Sequence, residues 1–141
     1  MEEIISLVKN WIRKAENDIK TAEDEIKTED PATDTICFHA QQCVEKYLKA
    51  FLVLNQKQFR KTHNIAKLIE LCKEIDGDFD KIYSYGATSL TDYAVKFRYG
   101  EEFYFPSIEE AKEAIEIANK VKEFVKKKLK EKAADLRLKS E

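Results

Sequence analysis

The scarcity of helix breakers constrains this chain most: three glycines and two prolines stand among 141 residues. Glycine interrupts helices through its backbone freedom, and proline through its missing N–H. A chain with so few interruptions, and with abundant Glu, Lys, Ala, Leu and Ile, favours long helices. The apolar positions repeat accordingly. From residue 2 to about 27, Ile4, Val8, Trp11, Ile12, Ala15, Ile19, Ala22 and Ile26 advance in steps of three and four and share one helix face. Pro31 ends this helix, because it disfavours helical geometry in Asp30.

A second helix is expected to run to about residue 55, with Thr33 or Asp34 as its cap. Ile36, Ala40, Cys43, Tyr47, Phe51 and Leu54 cluster on one side, and Val44 and Leu48 widen it. The other side carries Gln41, Gln42, Glu45, Lys46 and Lys49, with Phe38 and Val53 among them. A helix with apolar residues on both sides is central or has a second partner. The mixed side, with Phe38, Gln41, Gln42 and Glu45, therefore reads as a cleft wall or a seam between two copies. A singly exposed Phe is the plainer alternative.

Residues 55–61 form a polar linker, and Thr62 reads as the cap of a third helix buried through Ile65, Leu68, Ile69 and Cys72. Asp76-Gly-Asp78 breaks that helix. A short helix follows with Phe79, Ile82 and Tyr83, and beyond Gly86 a further segment runs to Gly100. Ser107-Ile-Glu-Glu110 is a capping box for the last helix, whose stripe runs from Ile108 to Leu129. Residues 131–141 are expected to fray. The one strand-like run, residues 102–105, is too short for a stable sheet. The expected fold class is all-α: an up-and-down antiparallel helical bundle of four main helices plus short extra helices. One domain is expected over residues 1–132, with a C-terminal tail over 133–141.

Composition narrows the function. A net charge of −2 gives no global field toward nucleic acid or membranes. The lysines crowded between Lys120 and Lys132 suit the negative end of a helix dipole; RNA or an anionic surface is the sharper reading of them. No apolar run approaches the ~20 residues that span a bilayer. The chain starts acidic, where an export signal would start basic. With Cys37, Cys43 and Cys72 as an odd set, a reducing cytoplasm with free thiols is expected. His39 and Cys43 lie one turn apart, but four-ligand zinc spacing is missing, so no metal is expected. There is no Gly-rich phosphate loop and no nucleophile elbow. No cofactor is expected.

Two polar residues carry candidate chemistry. His63 could donate, accept or change charge near neutral pH, or simply bond local backbone at a helix start. Arg98 stands out where lysine is chosen almost everywhere else. Its planar fork binds phosphate bidentately as lysine does not; pairing with Asp92 or a Glu is the equal alternative. Tyr93 and Tyr99 could stack on a base or edge a pocket.

These stretches, in this order, resemble the HEPN family (higher eukaryotes and prokaryotes nucleotide-binding). Cys37-Phe-His-Ala-Gln-Gln-Cys-Val-Glu-Lys-Tyr-Leu-Lys-Ala50 is similar to the family's pattern of an aromatic, Ala-Gln-Gln, then Glu-Lys and Leu-Lys-Ala. Thr62-His63 before an Ile/Leu-rich helix is similar to its second motif. Thr91-Asp-Tyr93 with Phe97-Arg-Tyr99 resembles its third, with Gly100 where the family usually has Pro. Ala15, Asp18 and Ala22 match the opening helix, and residues 107–118 the closing one. The resemblance covers about residues 5–130.

The resemblance implies a helical bundle, usually a homodimer, often encoded beside a small nucleotidyltransferase. Some family members are linked to nucleotide binding. Others are metal-independent RNases of toxin–antitoxin or defence systems, with an Arg followed four to six residues later by His. Here no histidine follows Arg98, and Arg60 precedes His63 by only three positions. The expectation is therefore a non-catalytic module that binds a nucleotide or another phosphate compound. Arg98 would hold phosphate, Lys46 or Lys49 would add charge, and Tyr93 or Tyr99 would contact the base, with His63 nearby. The rivals are a divergent RNase using Arg98 and His63, and a docking partner of a nucleotidyltransferase.

Overall fold

The computed structural model describes residues 1–95 and 103–140, with side chains through 135. Helix α1 spans Glu2–Ile26, α2 Thr33–Leu54 and α3 Ile65–Ile75. Two 3-10 helices, Gly77–Tyr85 and Ala87–Leu90, lead into the short α4, Thr91–Ala94. The last helix, α5, spans Ile108–Ser140. No strand occurs among the described residues. The chain is thus the all-α bundle its apolar period implies.

α2 is the central element, packed against α1, α3, α4 and α5. Its apolar residues on more than one side explain why: fourteen of its 22 residues are buried, including Ile36, Val44, Leu48 and Leu52. The α1 stripe buries Val8, Ala15, Ile19 and Ala22 against it. Three rings join the elements on the far side. Phe51 of α2 lies 4.3 Å from Phe79 of the first 3-10 helix, and Phe79 meets Phe124 of α5 edge-on at 5.1 Å. Such aromatic pairs add stabilisation beyond their buried area. Gly86 separates the two 3-10 helices at φ 81°, a left-handed turn that favours glycine.

The helix starts differ from the sequence expectation in two places. Neither Thr33 nor Asp34 caps α2. The N-cap is Ala32, and the carboxylate of Glu25, at the end of α1, accepts the Ala32 N–H at 2.9 Å. Thr62 does not cap α3 either. Asn64 does, accepting the Lys67 N–H at 3.2 Å, while the Thr62 hydroxyl accepts the Asn64 N–H at 3.1 Å. The shift has a tertiary cause: the Ile65 N–H donates to the Thr91 hydroxyl of α4 at 3.2 Å. His63 consequently lies in the loop before α3.

At α5, Ser107 accepts the Glu110 N–H at 3.1 Å, half of the expected box. The Glu110 carboxylate instead accepts the hydroxyls of Tyr93 and Tyr104. The backbone of α5 stays helical to Ser140, through the stretch where fraying was expected. Leu129 is the last buried residue among its described side chains. No helix among the described residues is long and apolar enough to cross a membrane.

Candidate functional site

Gln41, Glu45 and Lys49 follow one another at single-turn spacing on α2, so their side chains stack along one helix face. Gln41 is fully buried, Glu45 is 3% exposed and Lys49 7%. Burying a charge is costly unless it is paired and hydrogen-bonded. Here it is both. Glu45 Oε1 accepts from Lys49 Nζ at 2.6 Å. Glu45 Oε2 accepts from Gln41 Nε2 at 2.8 Å and from Gln42 Nε2 at 3.3 Å. His63 Nδ1 lies 3.1 Å from the same oxygen. Gln42 Nε2 also donates to Gln41 Oε1 at 2.6 Å, and Gln41 Nε2 to the His63 carbonyl at 3.3 Å. Trp11 of α1 and Phe59 of the loop flank the Lys49 ammonium, at 5.7 and 5.9 Å from their ring centres.

Burial alone would push the Glu45 carboxyl pKa up. Hydrogen bonds from Lys49 and Gln41, with the Lys49 charge, outweigh it and hold the group below its ordinary value. Glu45 is therefore a fixed buried anion. His63 is its accessible neighbour, with a side chain 45% exposed. With Nδ1 as the donor to Glu45, a neutral imidazole keeps a lone pair on Nε2. Nε2 has no hydrogen-bond partner among the described residues. The cluster thus presents one oriented nitrogen that can accept a proton or bond a ligand.

A second cluster sits between α1 and α2. Asp18, 7% exposed, meets His39 Nδ1 at 2.8 Å and Lys46 Nζ at 2.5 Å. Glu16 forms a third, accepting from Tyr47 at 2.6 Å, Lys122 at 2.8 Å and Lys126 at 3.2 Å. Partial burial would raise the Glu16 pKa, but the Lys122, Tyr47 and Lys126 hydrogen bonds bring it down to about 2. This cluster joins α1, α2 and α5.

The expected site residues divide accordingly. His63, Gln41, Gln42, Glu45 and Lys49 are brought together in one network. Lys46 belongs to the Asp18 cluster. Both lysines are neutralised by a carboxylate of their own chain. The Tyr93 hydroxyl donates to Glu110, and burial raises its pKa. Phe38 is half-buried, with its ring edge-on to His39 at 5.5 Å. Arg98 and Tyr99 lie outside the described residues. Of the four seam candidates, Gln41 and Glu45 are buried within a single chain, whereas Phe38 and Gln42 are partly exposed.

The sequence reading assigns two participants no part in a site: Asp18 enters only through its match to the opening helix, and Phe59 not at all. Asp18 falls between Ala15 and Ala22 on the buried stripe of α1, and a carboxylate in an apolar stripe requires a cation or donors opposite it. Phe59 looked like part of a polar linker. Among the described residues no three His, Cys, Asp or Glu side chains are grouped to hold a metal. All three cysteines are buried, and burial pushes the Cys37 thiol up to about 12, far from the reactive thiolate range.

The chain was compared with known proteins. No curated protein matches it significantly. The crystal structure of an archaeal HEPN homologue superposes with a TM-score of 0.66 at 25% identity, covering 86% of this chain and 96% of that one. The family model described as HEPN domain matches residues 8–129, and the chain therefore belongs to the HEPN domain family.

Proposed function

We propose that the chain binds a nucleotide, or a compound carrying a like phosphate, at the His63–Glu45 cluster. One observation carries this reading: a buried carboxylate, held below its ordinary pKa by its donors, orients a half-exposed imidazole whose second nitrogen is free of partners among the described residues. In this proposal Arg98 holds the phosphate through its bidentate fork, and His63 meets it as the imidazolium, donating from Nε2 while Nδ1 donates to Glu45. Tyr93 and Tyr99, neighbours of Arg98 in sequence, contact the base. Lys46 and Lys49 serve differently from the sequence expectation. They pair with Asp18 and Glu45 within the chain. HEPN domains often dimerise, and the working unit proposed is a pair of chains.

A thermal-shift scan against nucleoside mono-, di- and triphosphates, with and without magnesium, tests the proposal. A ligand at ~100 times its dissociation constant stabilises the folded chain by roughly 2.7 kcal/mol. The expected result is an upward shift that Arg98→Ala and His63→Ala each remove. A flat response to every nucleotide overturns it.

The same geometry favours one rival. An imidazole backed by a carboxylate is also how a general base is held, so His63 could take a proton from an RNA 2′-hydroxyl while Arg98 stabilises the phosphate. Metal-independent cleavage of RNA, lost in His63→Ala, is the outcome that would install this reading.

A further inference from the structure

A groove of about 830 Å³ runs between residues 58–62 and α3. It lies beside the loop that carries His63, but His63 does not line it. Phe59, Ala66 and Leu71, each half-buried, form its apolar lining. Phe59 and Leu71 also pack against the core, and the Lys49 ammonium braces the Phe59 ring at 5.9 Å from its centre. The apolar lining is therefore a fixed part of the bundle.

Charge divides the groove. Arg60 and Lys61 stand on the loop and Lys67 on α3, all exposed. None of the three has an ion-pair partner among the described residues. The two lining acids, in contrast, are engaged by groups of their own chain. Glu70 accepts the Tyr83 hydroxyl and lies 3.4 Å from Lys73, and Glu74 pairs with Lys57 at 2.8 Å. Three cations are thus left over around an apolar floor. Lys67, Leu71 and Glu74 follow one another at helical spacing. The α3 wall accordingly runs from a cation in its first turn, past an apolar residue, to an acid in its last.

We propose that this groove binds a short acidic peptide segment of a partner protein. An apolar side chain of the segment sits against Phe59, Ala66 and Leu71, and Asp or Glu residues beside it meet Arg60, Lys61 and Lys67. Charge complementarity chooses the occupant, as where acidic motifs are read by clustered cations. A nucleic-acid strand is a poorer match, because it carries a phosphate at every nucleotide and sets some of them against Glu70 and Glu74. A peptide places its carboxylates at one end and leaves the other end uncharged. A small free anion would use the cations but leave the apolar floor wet. From Lys67 to Glu74 the helix rises about 10 Å, the reach of roughly three extended residues. A short linear segment therefore fills the groove, and the Gln58 amide and Thr62 hydroxyl are at hand for its backbone.

Selection of random peptides of about seven residues, twice that reach, on the full chain tests this. Recovered peptides should share an aromatic or long aliphatic residue next to two or more Asp or Glu. Their affinity, read by fluorescence anisotropy, should fall roughly tenfold or more in Arg60→Glu with Lys67→Glu, and should weaken with added salt. Ala66→Glu, which sets a charged side chain into the apolar lining, should abolish binding. None of these three side chains is buried, so circular dichroism should show unchanged helix content. A selection without an acidic consensus overturns the proposal, as do peptides that bind the double variant as tightly as the parent. So does a labelled oligouridylate that binds in their place and is lost in the same double variant, which would make the ligand a nucleic acid. Self-association of the parent that the double variant abolishes in analytical ultracentrifugation would give the groove to a second copy, and overturns it likewise.

Discussion

Glu45 is reached by four donors and almost no water, so its charge is held entirely by side chains. Removing it would strand the Lys49 ammonium in the interior, and breaking one partner of a buried pair costs about 3–5 kcal/mol. Glu45→Ala should therefore lower the stability measured by urea unfolding by that amount. Glu45→Gln, which keeps part of the hydrogen bonding, should lose less. Glu16 gives the pH counterpart. Its carboxyl ionises more readily in the folded chain, at about 2 against an ordinary 4.5, so the unfolded state binds more protons between those values. The contribution is present above about pH 4.5 and is lost as pH falls toward 2. Solvent screening at this partly exposed site leaves it on the order of 1 kcal/mol. Glu16→Gln should flatten the fall in melting temperature across that window, and less so in high salt.

At the level of the elements, caps decide where function begins. Asn64, one residue after His63, fixes the start of α3 and with it the loop that carries the imidazole. Asn64→Ala should cost about 1 kcal/mol through the lost cap, with Thr62→Ala costing less; thermal unfolding of both separates them. The helices themselves were legible in the sequence because their apolar period survives from end to end. Their starts were less so. Thr62-His-Asn64 offers two capping oxygens three positions from a suitable N–H, and the choice is made by Thr91, twenty-six residues beyond Ile65. The polar side of α2 was visible as Gln41, Gln42, Glu45 and Lys49, but not its burial. A projection of one helix cannot show that Trp11 and Phe59, on other elements, close over Lys49. His63 could be singled out as scarce and titratable, yet its bond to Glu45 depends on a fold that brings residues eighteen apart together.

For the molecule as a whole, α5 is longer than the bundle it completes. It is tied to α1 through Lys122 and Lys126 on Glu16, and to the α3 end through Lys128, which pairs with Asp76 at 2.8 Å and Asp78 at 2.6 Å. Leu129 is its last buried anchor among the described side chains, and the family match ends at the same residue. Ending the chain after Lys132 removes none of these contacts. The truncated protein should melt within about 3 °C of the parent, since loss of 1 kcal/mol would move a domain of this size by roughly 3–5 °C. A larger drop in differential scanning calorimetry would show that residues 133–141 contribute contacts of their own.

The indole against Lys49 belongs to Trp11, the one tryptophan in the chain. Its ultraviolet emission is therefore a single-origin signal, generated beside the buried carboxylate that holds His63. Anything that draws His63 away from Glu45, or alters the charge there, changes the electric field on that ring. The wavelength and intensity of the emitted light then report the event directly. The protein carries its own optical probe for titrating ligands, and no dye or engineered label is required.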